Sequence, residues 1–376
     1  LQKPLHFFLV YTACFIFALV LLRAVVFASE EATRVTNKWQ KQRLRESFAH
    51  LDKVRRRVPL VLLAGASEMQ TGFSPEPFER SLSKRGHRVY AMNMAVDNMG
   101  RWMPLYLARL EDELKRTGLR PRVLFLQFPP SSMTTKSRRL ELTQWRLFDF
   151  PAVLYNPRVL MNFDSDLEEK TVAFFNKYIL GERSLLQVVR FFSPRFPRER
   201  SVAGRNRAAL WFEARHHPYP AWDPAQKGFF YFNIEQYNRE MKKYFRNMQT
   251  PEAVQETIDK YEECCDFLNL NIDQPHLERL TEWVKRLALL SHKVVLIQMA
   301  ENPYFTRSPE SLARLNSALH SIAAPAGAEV WTLDEDPFKP EDFIDITHLS
   351  PKGVRYFSRR LADRIPDEWF APSDQN

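Results

Sequence analysis

Three side chains of this sequence have the types and spacing of an acyl-transfer centre, and two short motifs carry them. The first motif, Gly65-Ala66-Ser67, follows the apolar run 60–63, which reads as a buried strand ending in a tight turn. A serine there stands at the carboxyl end of a parallel strand, where ligands bind in open α/β sheets. Alone, Ser67 also reads as an ordinary turn or helix-capping serine. The second motif, Asp345-Ile346-Thr347-His348-Leu349-Ser350-Pro351-Lys352-Gly353, follows an acidic loop and precedes the helical pattern 354–365. An Asp three residues before a His at a helix start can turn back to accept from the imidazole. That contact fixes the tautomer and stabilises the imidazolium, leaving the other ring nitrogen to take a proton from a serine. Alone, His348 also reads as a helix-cap or structural histidine.

The elements that must position these groups follow from periodicity. Strand candidates at 60–63, 89–92, 123–128, 294–299 and 329–333 alternate with helical patterns such as 106–116 and 277–290, and a helix is expected from Pro75. This alternation predicts an α/β fold with a mostly parallel sheet. The segment 131–273 breaks the rhythm with Pro151, Pro157, Pro194, Pro197, Pro218, Pro220 and Pro224 among aromatic residues, and with helical stretches such as 231–246. It reads as an insertion, largely helix and loop. The α/β domain is then expected over 58–130 and 274–370.

The strand-Gly-x-Ser opening, Gly72 five residues past the serine, and the closing Asp-x-x-His-Leu-x-x-x-Gly before a helix together resemble the SGNH (GDSL-like) hydrolase superfamily. Within it, the apolar N-terminal segment, the mid-chain insertion and the run Phe343-Ile344-Asp345-Ile346-Thr347-His348-Leu349 look like the membrane-anchored DltD-like branch and alginate acetylation proteins. The resemblance covers roughly 58–130 and 291–365 and leaves the insertion unmatched. It implies a three-layer α/β/α fold, a triad of Ser67, His348 and Asp345, acyl-ester chemistry and an exported domain.

The sequence departs from that pattern in three places. Ala66 stands where the family name has Asp. The second block appears as Asn93-Met94-Ala95-Val96-Asp97-Asn98-Met99-Gly100, with Asn98 where the oxyanion-hole glycine aligns. The third block, normally Gly-x-Asn, is replaced by Gln127-Phe128-Pro129-Pro130, so its asparagine donor is missing. An oxyanion donor supplies several kcal/mol, and losing one typically costs about a hundredfold or more in rate. The candidate donors are the Ser67 backbone N–H with Asn98 or Gly100, the alternative for Asn98 being a loop residue.

Composition bounds the remaining possibilities. The chain has 376 residues, 45% apolar and 26% charged, which excludes a disordered, collagen-like or multi-span membrane protein. Three cysteines, Cys14, Cys264 and Cys265, provide no disulfide framework. Residues 5–22 hold no formally charged residue, and apolar character resumes after Arg23 as far as Ala28. Roughly 20 such residues span a bilayer. Residues 1–28 therefore read as a single membrane anchor, with a cleaved signal peptide and a buried core helix as the alternatives. Residues 29–57, free of Gly and Pro, read as a juxtamembrane helix. Their many Lys and Arg residues argue for a cytoplasmic domain, whereas the resemblance argues for the periplasmic or extracellular side of the cytoplasmic membrane.

The net charge of +9 favours anionic surroundings. His216 and His217 and the run Glu262-Glu263-Cys264-Cys265 lack metal-ligand spacing, and the basic runs 195–200 and 205–207 belong to no nucleic-acid module. No metal, cofactor or nucleic acid is expected. The resulting expectation is a membrane-anchored serine acyltransferase or esterase working through acyl-Ser67. Its expected partners are an acylated cell-envelope glycan or acyl donor, membrane lipid and a multi-span membrane O-acyltransferase. A catalytically idle SGNH-like scaffold subunit of a membrane acylation complex is the alternative from a different class.

Overall fold

Parallel strands covered on both faces have to be apolar on both faces, and the three central runs of the sheet meet that condition. The computed structural model describes residues 48–51, 54, 58–96, 103–134, 222–223, 228–229, 250–266, 268–333 and 338–371. Its strands are β1 (Leu60–Ala64), β2 (Tyr90–Asn93), β3 (Val123–Leu126), β4 (Val294–Ile297) and β5 (Glu329–Trp331), ordered β2-β1-β3-β4-β5 and all parallel. Leu62 lies opposite Met92 on one side and Leu124 on the other, and Leu296 lies opposite Val330. Every residue of β1, β3 and β4 is buried.

The helices are α1 (Ser67–Gly72), α2 (Pro75–Lys84), α3 (Met103–Thr117), α4 (Pro251–Cys265), α5 (Gln274–Ala288), α6 (Pro309–Ala323) and α7 (Pro351–Arg364). The period-2 alternation of the strands sorts them into two layers. Leu62, Leu124 and Leu296 pack with Leu107 and Leu110 of α3, Leu280 and Val284 of α5, and Leu315 and Leu319 of α6. Val61, Leu63, Phe125 and Ile297 face the opposite way, onto Met69 of α1, Phe78 and Leu82 of α2, and Phe357 and Leu361 of α7. Each fully buried Leu or Phe contributes about 1.5–3 kcal/mol of transfer free energy, so both faces of the sheet drive folding.

The expected α/β fold with a parallel sheet is therefore present, with helices on both faces. Three strands stop earlier than expected, β5 ending at Trp331 within the run 329–333. Gln127 and Gln298, placed inside the runs 123–128 and 294–299, lie beyond the ends of β3 and β4. After Gln127 the chain meets Pro129 and Pro130, which have no N–H to extend a ladder.

The chain leaves the sheet layer at Thr134 and returns at Ile272, where the two residues form an antiparallel bridge and Asp273 N–H donates to the Met133 carbonyl at 2.8 Å. Between them, Trp222-Asp223 and Gly228-Phe229 pair as a short antiparallel hairpin. The expected helix at 231–246, together with His216, His217 and both basic runs, lies outside the described residues. So does the expected anchor at 1–28; among the described residues no helix is long and apolar enough to cross a membrane. Of the expected helix at 29–57, residues 48–51 are helical, with Phe48 and Leu51 buried in the core beside Tyr106.

The start of α7 carries a steric constraint. Ser350 caps it by accepting from Gly353 N–H at 3.4 Å, while the Asp342 carbonyl accepts from Ser350 N–H at 2.7 Å. A Cβ added at Gly353 would collide with that same carbonyl, which is backbone and cannot rotate away. Gly353→Ala is therefore expected to destabilise the fold by about 1–3 kcal/mol, against a neutral effect for a helical Gly→Ala in open space. Chemical denaturation checks this, and a stability equal to or above the parent would contradict it.

Candidate active site

In a sheet of this order the chain turns in opposite directions from β1 and β3, which opens a crevice outside their carboxyl ends. Ser67 stands at that point as the first residue of α1, two residues after Gly65, and is half-buried. Three polar side chains that follow the carboxyl ends of neighbouring strands fix the segment around it and the loop opposite.

Gln127, just past β3, accepts from Ala66 N–H through Oε1 at 2.8 Å, and its Nε2 lies 3.4 Å from Glu68 Oε2. A Cβ built on Gly65 would sit 2.7 Å from Gln127 Oε1 and 2.8 Å from Gln127 Cβ. The strand-to-helix turn before Ser67 can approach β3 this closely only because residue 65 is glycine. Asn93, the last residue of β2, donates from Nδ2 to the carbonyls of Met69, Gln70 and Phe73 at 3.1, 3.1 and 3.2 Å. Those carbonyls close the far end of a six-residue helix that has no side-chain N-cap at Ala66. Thr71 Oγ1 also donates to the Ser67 carbonyl at 3.0 Å.

The second half of the site is the loop 343–349, which closes on itself. Phe343 and Leu349 form an antiparallel bridge, and Ile344 N–H donates to the His348 carbonyl at 2.9 Å. Inside the loop Asp345 Oδ1 accepts from the backbone N–H groups of Thr347 at 2.9 Å and His348 at 2.7 Å. Its Oδ2 lies 2.8 Å from His348 Nδ1. Asn302, after β4, holds the loop from outside: its N–H donates to the Ile346 carbonyl at 2.8 Å and its Nδ2 to the Asp345 carbonyl at 3.3 Å. Beside it, the buried guanidinium of Arg307 pairs with Glu301 at 2.6 Å.

Burial pushes the Asp345 carboxyl up, but the His348 charge, the imidazole hydrogen bond and the two loop N–H groups outweigh it and hold the group below the usual carboxylate range. An ionised Asp345 only accepts, so Nδ1 of His348 is the donor in this contact.

The structure brings Asp345 and His348 into direct contact. It brings the Ser67 segment to the same layer: α1 packs against α7, Ser74 N–H donates to Ser358 Oγ at 2.9 Å, and a Cβ on Gly72 would touch Met299 and Leu349. Among the described residues the Ser67 hydroxyl makes no hydrogen bond, to His348 or to any other group. In resting enzymes such catalytic contacts are commonly long and tighten when substrate binds. Asn98 and Gly100 lie outside the described residues. Gln127 lies beside the serine turn, where the sequence comparison marked only a missing asparagine. Asn93 and Asn302 complete the supports, and their shared signal is a polar amide where a strand's carboxyl end meets a loop. No group of His, Cys, Asp and Glu that could hold a metal ion occurs among the described residues. No family model, curated protein or solved structure matches the chain.

Two outcomes follow from this geometry. Gln127→Leu leaves the buried Ala66 N–H without an acceptor and is expected to cost about 1–3 kcal/mol, measured by denaturant titration. An unchanged stability would show that the amide does not hold the turn. For Asp345 the folded value lies below the unfolded one, so its contribution is present above the ordinary carboxylate range and is lost as pH falls through the depressed folded value. Asp345→Asn is expected to flatten that acid limb of the stability profile. An acid limb identical in parent and variant would contradict the assignment.

Proposed function

We propose that this chain is a membrane-anchored serine acyltransferase or esterase of SGNH type, acting on acyl groups of cell-envelope glycans. The observation that carries the reading is the 2.8 Å contact between Asp345 Oδ2 and His348 Nδ1, at the same edge of the sheet as the Ser67 turn. An imidazole held in this tautomer by a buried carboxylate is a general base, and the nearest use for it is a hydroxyl nucleophile.

In this mechanism His348 Nε2 takes the Ser67 proton as Oγ adds to the ester or thioester carbonyl. Asp345 stabilises the imidazolium that forms, and His348 returns the proton to the departing oxygen or sulfur. The acyl-Ser67 ester is then resolved by a glycan hydroxyl, giving transfer, or by water, giving hydrolysis. In both cases His348 deprotonates the attacking oxygen and the Ser67 oxygen regains its proton. Ser67 N–H, with Asn98 or Gly100, serves the oxyanion. The apolar segment 1–28 supplies the anchor, the catalytic domain lies on the periplasmic or extracellular side, and a multi-span O-acyltransferase supplies the acyl group. The resemblance of the two motifs to the DltD-like branch supports transfer over hydrolysis.

A fluorophosphonate probe tests the chemistry without knowledge of the substrate. The parent chain is expected to be labelled once, at Ser67, with labelling abolished by Ser67→Ala and reduced by about 10³-fold or more by His348→Ala. A correctly folded parent that resists the probe would replace the enzyme reading by a scaffold subunit.

A further inference from the structure

The edge of the sheet opposite the site is built differently. All five strands begin there, and backbone hydrogen bonds set the preceding residues side by side: Tyr90 N–H to Pro59 O at 2.9 Å, Arg122 N–H to Leu60 O at 2.7 Å, and His292 N–H to Pro121 O at 2.9 Å. Arg88, Arg120, His292 and Lys293 are exposed on this edge, and Arg122 is half-buried. Among the described residues no salt bridge joins these cations to a carboxylate. Arg120 donates to the Leu289 carbonyl at 3.3 Å, Arg122 donates to the carbonyls of Trp369 and Ala371, and Lys293 lies over the Trp369 ring, its Nζ 5.4 Å from the ring centroid. Of the acids at this end, Asp367 is paired with Arg85 and His87, and Glu329 accepts from the Trp331 indole. Partial burial, then the charges of Arg122 and Arg120, hold the His292 imidazole below its ordinary value, as a local positive potential requires.

On the same edge, with its carbonyl bonded by Arg120, stands Leu289, 76% exposed, one of two large hydrophobic side chains that are exposed among the described residues. We infer that this edge, which carries Leu289 together with Arg88, Arg120, Arg122 and Lys293, is a docking face for an anionic phospholipid surface. A polyanion dissolved in water, glycan or nucleic acid, would satisfy the cations and leave Leu289 wet; a bilayer interface takes both, burying the leucine while the headgroups meet the charges. The chain also reaches this edge from its N-terminal side, since β1 begins here after the basic residues 29–57 and the apolar run 5–22. Docking this way turns the Ser67 and His348 edge away from the bilayer, towards material in the envelope. The inference uses the anchor of the proposed function as support and does not depend on its acyl chemistry.

Hydrogen exchange of the full chain in nanodiscs tests it. In discs containing phosphatidylglycerol, amides at 118–122 and 289–293 are expected to exchange more slowly than in phosphatidylcholine discs, with 65–72 and 345–349 unchanged. Replacing Arg120 and Lys293 together by Gln should lower the docked-to-undocked ratio by roughly 30-fold and abolish the difference, and Arg88→Gln with Lys293→Gln should do the same. Equal exchange in the two lipids would overturn the proposal. So would equal protection of 118–122 and 289–293 by a soluble anionic polymer without lipid, which would make the face a polymer site. Because Ser67→Ala should dock like the parent, failure of the acyl chemistry and failure of docking are read separately.

Discussion

A buried parallel strand has to pair every backbone N–H and carbonyl with its neighbours, and each return crossing then places all strand starts at one edge and all strand ends at the other. That constraint divides the molecule. The five strands here share one direction, so the Ser67 turn, Asn93, Gln127, Asn302 and the Asp345 loop collect at the carboxyl edge, while Arg120, Arg122, His292 and Lys293 collect at the amino edge. Neither grouping is visible as a cluster in the chain. The chemistry proposed for one edge and the surface proposed for the other both follow from strand direction.

At the carboxyl edge the backbone must leave the sheet without stranding polar groups, and side-chain amides take over that task. Gln127 accepts from the Ala66 N–H, Asn93 donates to two carbonyls of α1 and to that of Phe73 just after it, and the Asn302 side chain donates to the Asp345 carbonyl. The result holds the Ser67 turn and the Asp345 loop from behind. Ile346, meanwhile, packs with Val254 and Ile258 of α4, so the helix that ends the 131–273 segment rests on the histidine loop.

Legibility in the sequence followed the range of each interaction. Strand runs such as 60–63 and the cap Ser350 depend on neighbours within a few residues, and the contact of Asp345 with His348 spans three. Such features can be read from spacing. Gln127 contacts Ala66 across 61 positions and Asn302 contacts Asp345 across 43, so nothing local marks either amide as a support. Gln127 also belongs to the run 127–130 that lacks an expected asparagine, which drew attention to a lost donor instead of to the turn it holds. Gly65 was read as a turn residue, whereas the stronger reason for it is the close approach of Gln127.

The central claim is that Ser67 carries an acyl group during turnover. Acid-quenched mass spectrometry of the full chain during turnover of an activated aryl ester measures this directly. The account predicts one acyl group per chain, located on the peptide containing Ser67 and absent from Ser67→Ala. Product formed while the chain stays unmodified, or an acyl group found on another residue and retained in Ser67→Ala, would contradict it.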